Sequence, residues 1–185
     1  MAIDRAIILA AGASQRLGSP KALVEVAGRT LVESVTQRLA LSDLEVTIVT
    51  RAELAEPIRE LLPEIHLVVN PQPEAGRTGS IQCGLESIGE GPVLIAPVDR
   101  PGFSRVTIDI LREVTTTTCP VYDGRGGHPI TLSAGDCERI CAASSDTPLR
   151  DLIEPKRIEV DDKFLHLNID TPDDVENLRR VADSL

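Results

Sequence analysis

The chain has 185 residues, 42% of them hydrophobic and 26% charged, with a formal net charge of -10. That length suits one domain with a substantial core, and the acidic balance argues against a general affinity for nucleic acid or an anionic membrane. Two phenylalanines, one tyrosine and no tryptophan leave no stacking platform for a single strand.

The four cysteines, Cys83, Cys119, Cys137 and Cys141, include no CxxC pair, so they read as reduced, small apolar residues rather than a zinc site. No signal peptide and no bilayer-spanning stretch is visible, which predicts a cytoplasmic protein.

In chain order, an apolar run opening at Ala6 reads as a buried strand. It breaks at Gly12 into a loop of small residues carrying Arg16 and Lys21. Glycine and alanine let backbone N–H groups approach phosphates closely, and the two cations meet their charge. The spacing predicts a helix over 30–41, a strand over 45–50, a helix over 53–62 that starts late or kinks at Pro57, and a strand over 66–70. A Pro- and Gly-rich loop over 71–79 leads to a helix over 80–88. A very apolar strand over 92–98 then delivers Asp99, and a helix over 104–114 has Ser104 as its cap. This alternation implies a parallel sheet with helices on both faces, with the three loops sharing the edge where ligands bind. In the second half, strands are expected over 120–122 and 129–132 around one turn, and helices over 134–143 and 147–153. Strands over 157–160 and 164–169 follow, and a last helix opens on Thr171-Pro172-Asp173-Asp174.

The opening loop has neither Walker A spacing nor GxGxxG. Asp99 by itself fits a metal ligand or a turn aspartate equally well. The stretch Leu9-Ala10-Ala11-Gly12-Ala13-Ser14-Gln15-Arg16-Leu17-Gly18-Ser19-Pro20-Lys21 resembles the signature LAAGxSxRxGxxK of the MobA-like nucleotidyltransferases. Within these it is most similar to the molybdenum cofactor cytidylyltransferase branch, since the guanylyl branch usually has a second glycine where this chain has Ala11. The resemblance is collinear to Asp174. It includes Val98-Asp99-Arg100-Pro101 against a D-x-P motif, the loop over 74–81, Gly126-Gly127-His128-Pro129, and Asn168-Ile169-Asp170-Thr171-Pro172.

This resemblance implies a single-domain three-layer α/β/α sandwich with a mostly parallel, Rossmann-like sheet of the nucleotide-diphospho-sugar transferase type. One nucleotidyltransferase domain would cover 1–185, with the nucleotide held by about 1–103 and the acceptor by the remainder. Leu9, Ala10, Ala11, Gly12 and Ser14 would cradle the phosphates. Arg16 would hold the leaving pyrophosphate, and Lys21 would meet charge growing at the α-phosphate. Gly79 and Ser80 would border the base, while Gly127 and His128 would face the acceptor. Asp99 would bind Mg²⁺ or Mn²⁺ together with Asp170 or Asn168, Asp170 being favoured on charge.

The implied activity moves CMP from CTP onto a molybdopterin-type phosphate and releases pyrophosphate. Implied partners are CTP or another NTP, a pterin-type phosphorylated acceptor, and a molybdoenzyme or its chaperone. The alternatives are transfer from GTP or ATP to a sugar phosphate or other small acceptor, and a NAD(P)H-dependent oxidoreductase of the same branch.

Overall fold

A computed structural model describes residues 2–14 and 16–182; the expected positions at Met1, Gln15 and 183–185 lie outside the described residues. The sheet is built on β1 (Arg5–Leu9), which pairs in parallel with β4 (Glu45–Thr50) on one side and β6 (Val93–Pro97) on the other; β4 in turn pairs in parallel with β5 (His66–Val69). A small antiparallel pair, β2 (Glu25–Val26) and β3 (Arg29–Thr30), sits apart from this sheet. Beyond β6 the second half adds β9 (Ile130–Leu132) antiparallel, then β7 (Thr118–Tyr122), with β10 (Lys156–Glu159) parallel to β7 at the edge. The strand β8 (Arg125–Gly126) also pairs with β7.

The alternation of side chains along each strand explains the two cores. On β1, Ala6 and Ile8 pack on one face and Ile7 on the other; on β6, Leu94 and Ala96 oppose Val93 and Ile95. The first face is covered by α1 (Leu31–Ala40), α2 (Ala52–Leu61), α4 (Arg105–Arg112) and α7 (Pro172–Val181). The second is covered by α3 (Arg77–Ile88), α5 (Ala134–Ala142) and α6 (Leu149–Leu152). The expected three-layer arrangement is therefore present. No helix among the described residues is long and apolar enough to cross a membrane.

Several local expectations need revision. Pro57 neither delays nor ends α2, which starts at Ala52. The proline removes one intrahelical donor, while Leu54, Ala55 and Ile58 keep their buried packing. Residues 164–169 are not a strand. Asp162 is buried and accepts from Ser104 N–H (2.6 Å) and the Thr107 hydroxyl (2.8 Å), and turns then close from Leu165 N–H to Asp162 O and from Leu167 N–H to Phe164 O. This segment lies so close to Gly102 that a Cβ there would fall 1.9 Å from the Phe164 carbonyl oxygen.

The hairpin after β7 is tighter than expected. Asp123 and Gly124 both have positive φ (49° and 71°), which suits a two-residue turn, and Val121 pairs with Gly126. Thr118 nevertheless pairs with Thr131, so three steps on β7 face five on the returning strand, and two extra residues bulge out around His128.

Gly84 sets how closely α3 approaches the sheet. A Cβ there would lie 2.8 Å from Ile7 Cδ1 and 3.0 Å from Val49 Cγ2. Gly84→Val should therefore destabilise the fold by about 1–3 kcal/mol through overpacking. A lowered midpoint in guanidinium denaturation would confirm this, and an unchanged midpoint would refute it.

Candidate active site

The carboxyl ends of β1, β4, β5 and β6 open onto a cleft of about 700 Å³. The exit of β1 is pinned on both sides, by Ala10 N–H to Val49 O (2.8 Å) and by Val98 N–H to Leu9 O (3.1 Å). The loop then turns through Ser14 and Gly18, both at positive φ (51° and 74°). The Ser14 hydroxyl accepts the Lys21 N–H at 3.0 Å, so the loop closes on itself and fixes the Lys21 backbone. Leu9, Ala10, Ala11, Gly12, Ser14, Arg16 and Lys21 all line the cleft, as do Ser80 and Asp99.

At its centre the Lys21 ammonium donates to Asp99 Oδ2 at 2.9 Å and to Asp170 Oδ1 at 2.5 Å. Arg16 reaches the other Asp170 oxygen at 3.1 Å, and Asn168 Nδ2 donates to that oxygen at 2.6 Å. The two aspartates are held together by the backbone, because Ile169 N–H donates to Asp99 O at 2.9 Å. The start of α7 fixes Asp170 from the other side. Its capping-box residue Asp174 accepts from the Asp170 N–H (3.0 Å), the Thr171 N–H (2.8 Å) and the Thr171 hydroxyl (2.8 Å).

Charge follows from this geometry. Burial works against the Lys21 ammonium, but hydrogen bonds to Asp170 and Asp99 outweigh it and hold its pKa above the ordinary 10.5. The Lys21 hydrogen bond, with help from Asn168 and Arg16, holds Asp170 below the ordinary 3.8. A cation already sits between the two carboxylates, so this donor set fits a hard divalent ion, which takes one or two protein carboxylates and completes its shell with phosphate oxygens and water. Among the described residues no group of three or more His, Cys, Asp or Glu side chains is placed to hold a metal by itself.

Near the start of α3, Ser80 Oγ accepts from Asn70 Nδ2 at 3.0 Å, and Asn70 Oδ1 accepts the Gln72 N–H at 2.9 Å. Asn70, immediately after β5, is buried behind Ser80 and is not among the residues that line the cleft. Arg77 and Glu74 line the cleft as well.

Gly79 does not join this group. Its N–H donates to Ser145 O at 3.1 Å, and a Cβ there would meet Ser145 Cβ at 3.2 Å. Gly127 is likewise a packing position, where a Cβ would fall 2.4 Å from Leu165 Cγ. His128, on the bulge, is half-buried, with an Nδ1 that has neither solvent nor a hydrogen-bond partner among the described residues. Burial, reinforced by Arg77 and Arg100, pushes its pKa down to about 4 against the opposing pull of Asp99, so its ring is neutral near pH 7.

The profile of the MobA-like NTP transferase domain matches residues 6–182. The chain belongs to that family. Its relatives differ in named activity. Nicotine blue oxidoreductase of Paenarthrobacter nicotinovorans is 30% identical over 143 residues, covering 70% of this chain and 70% of the relative. A protein of Bacillus cereus (strain ZK / E33L), named probable molybdenum cofactor guanylyltransferase, is 30% identical over 125 residues. That match covers 64% of this chain and 62% of the relative, so the chain spans less than two thirds of it. Among solved structures, Rv0371c of Mycobacterium tuberculosis H37Rv superposes with a TM-score of 0.81 at 20% identity, over 97% of this chain and 99% of that one. A further structure of Rv0371c is a complex with manganese. At this identity the superposition establishes a shared fold, the mostly parallel helix-flanked sheet found in this family.

The ion cluster has a pH window. The depressed Asp170 contributes stability that is present above its ordinary 3.8 and is lost as pH falls through its lower folded value. The raised Lys21 contributes stability that is present below its ordinary 10.5 and is lost as pH rises through its higher folded value. The stability difference between the wild type and Lys21→Met should therefore be flat between these limits and change at both ends. Urea denaturation from pH 2 to pH 11 measures it, and a difference that stays constant below the Asp170 titration would contradict the assignment.

Proposed function

We propose that the chain is a nucleotidyltransferase that moves CMP from CTP onto a phosphorylated pterin-type acceptor of the molybdenum cofactor class. Membership of the MobA-like family supports the reaction class. The observation that carries the reading is that Arg16, Lys21 and Asp99 line one cleft at the strand ends, with Asp170 paired to both Arg16 and Lys21. Ala11 in place of a second loop glycine supports CTP as the donor, while the guanylyltransferase name of the Bacillus relative makes GTP the competing donor.

In this reaction an acceptor phosphate oxygen forms a bond to the α-phosphorus, the bond from that phosphorus to the β-phosphate bridging oxygen breaks, and pyrophosphate leaves. The acceptor is already an anion, so no general base is required. The amides of the 11–14 loop hold the triphosphate, Arg16 binds the departing pyrophosphate, and Lys21 moves onto the α-phosphate. Asp99 and Asp170 would hold Mg²⁺ or Mn²⁺, with Asn168 orienting Asp170 rather than ligating. When bound, that ion neutralises charge on the phosphates. Ser80 borders the base.

The neutral His128 and the bulge that carries it face the acceptor, with residues to about 103 serving the nucleotide and the remainder the acceptor. The reaction would run in the cytoplasm and hand its product to a molybdoenzyme or its chaperone.

A second reading, a NAD(P)H-dependent oxidoreductase, has one specific support, the name of the Paenarthrobacter relative. Pyrophosphate release with each of the four NTPs and Mg²⁺, with and without molybdopterin, separates the two. CTP should be the preferred donor, and Asp99→Ala should lower the rate by at least about a hundredfold while the melting profile stays cooperative. Oxidation of NAD(P)H with no pyrophosphate from any NTP would overturn the proposal.

A further inference from the structure

The cleft holds an internal counter-ion where a metal ion would bind. The Lys21 ammonium bonds both carboxylates at once, at 2.9 Å to Asp99 and 2.5 Å to Asp170, and Arg16 closes on the remaining Asp170 oxygen at 3.1 Å. The Lys21 side chain is only 15% exposed. The formal charges of these four groups sum to zero.

A free divalent cation entering this cluster must evict the ammonium from both partners. It also leaves that ammonium beside a dication in a partly desolvated cleft, with no new anion to receive it. A metal ion carried by a nucleoside triphosphate changes the balance, because the phosphates give Lys21 and Arg16 new partners as the metal takes the carboxylates. Arg16 is 73% exposed and Lys21 sits on a flexible four-carbon stem, so both can follow the phosphates without rearrangement of the backbone.

We infer that Lys21 makes this site selective for a metal–nucleoside triphosphate complex over the free metal ion. Metal and nucleotide therefore bind with positive coupling, and each raises the affinity for the other by the same factor. Lys21 thus has two positions, one that closes the empty site and one that serves the α-phosphate; the second rests on the function proposed above.

The test is equilibrium binding of Mn²⁺, followed by loss of the free Mn²⁺ electron paramagnetic resonance signal. Without nucleotide, Lys21→Met should bind Mn²⁺ about tenfold or more tightly than the wild type. Lys21→Met,Asp99→Asn should lose this gain. For the wild type alone, a CTP analogue with a non-hydrolysable α–β bridge should raise Mn²⁺ affinity by about tenfold or more, beyond what the analogue itself binds in protein-free solution.

Equal Mn²⁺ affinity in Lys21→Met and wild type, measured on folded protein, would overturn the inference. If Lys21→Met fails to fold, wild-type Mn²⁺ binding that is unchanged by the bound analogue would overturn it instead. Nucleotide binding is scored separately by thermal shift. An analogue that does not bind counts against the proposed nucleotidyltransferase, whereas one that binds without changing Mn²⁺ affinity counts against the counter-ion role alone.

Discussion

Three segments far apart in sequence meet at one ammonium group. Lys21 ends the loop after β1, Asp99 follows β6, and Asp170 precedes α7, and the lysine bonds both aspartates. The backbone bond from Ile169 to Asp99 and the capping box at Thr171 and Asp174 place the carboxylates, and the Ser14 hydroxyl places the lysine. The loop between Leu9 and Lys21 has almost no regular structure, so its shape depends on these few bonds and on the pinned exit of β1. Both Lys21 ion pairs are largely buried, so the cost of desolvating the charges offsets much of their attraction. Their importance lies in how they arrange the site.

The same cluster reconciles an acidic chain with a polyanionic ligand. A formal charge of -10 would repel a triphosphate at long range, and screening at physiological salt confines that effect to about 8 Å. Within that distance the cleft presents Arg16, Lys21 and Arg77 to the ligand proposed for it. The charges of Arg77 and Arg100 also act on His128, which lies on the bulge between β8 and β9, and add to the effect of its burial.

Much of this architecture was legible from periodicity. The run EVTIVT became β4 with the bounds its pattern predicted, and Thr171-Pro172-Asp173-Asp174 became a capped helix start because cap, proline and first-turn acids all agree. The first half read well because β4 and β6 are buried along nearly their whole length and α1 and α2 each bury one apolar stripe. The segment over 164–169 misled for a physical reason: its alternating apolar residues Leu165, Leu167 and Ile169 pack into the core from a turn, held by Asp162 and by the close approach to Gly102. That close approach is a tertiary constraint with no local signature.

The site was legible in its residue types and less so in their partners. Arg16, Lys21, Asp99 and Ser80 line one cleft, with Asp170 paired to Lys21 and Arg16, whereas Gly79 packs against Ser145 and Gly127 against Leu165, since a glycine that permits close packing and a glycine that permits ligand approach look alike in sequence. The measurement closest to the central claim follows the two ends of the nucleotide separately, with CTP labelled at the α- or γ-phosphorus, Mg²⁺ and a molybdopterin acceptor. The account predicts the α-label in the acceptor product and the γ-label in pyrophosphate in equal amounts; α-label that remains in free nucleotide while the acceptor is consumed would contradict it.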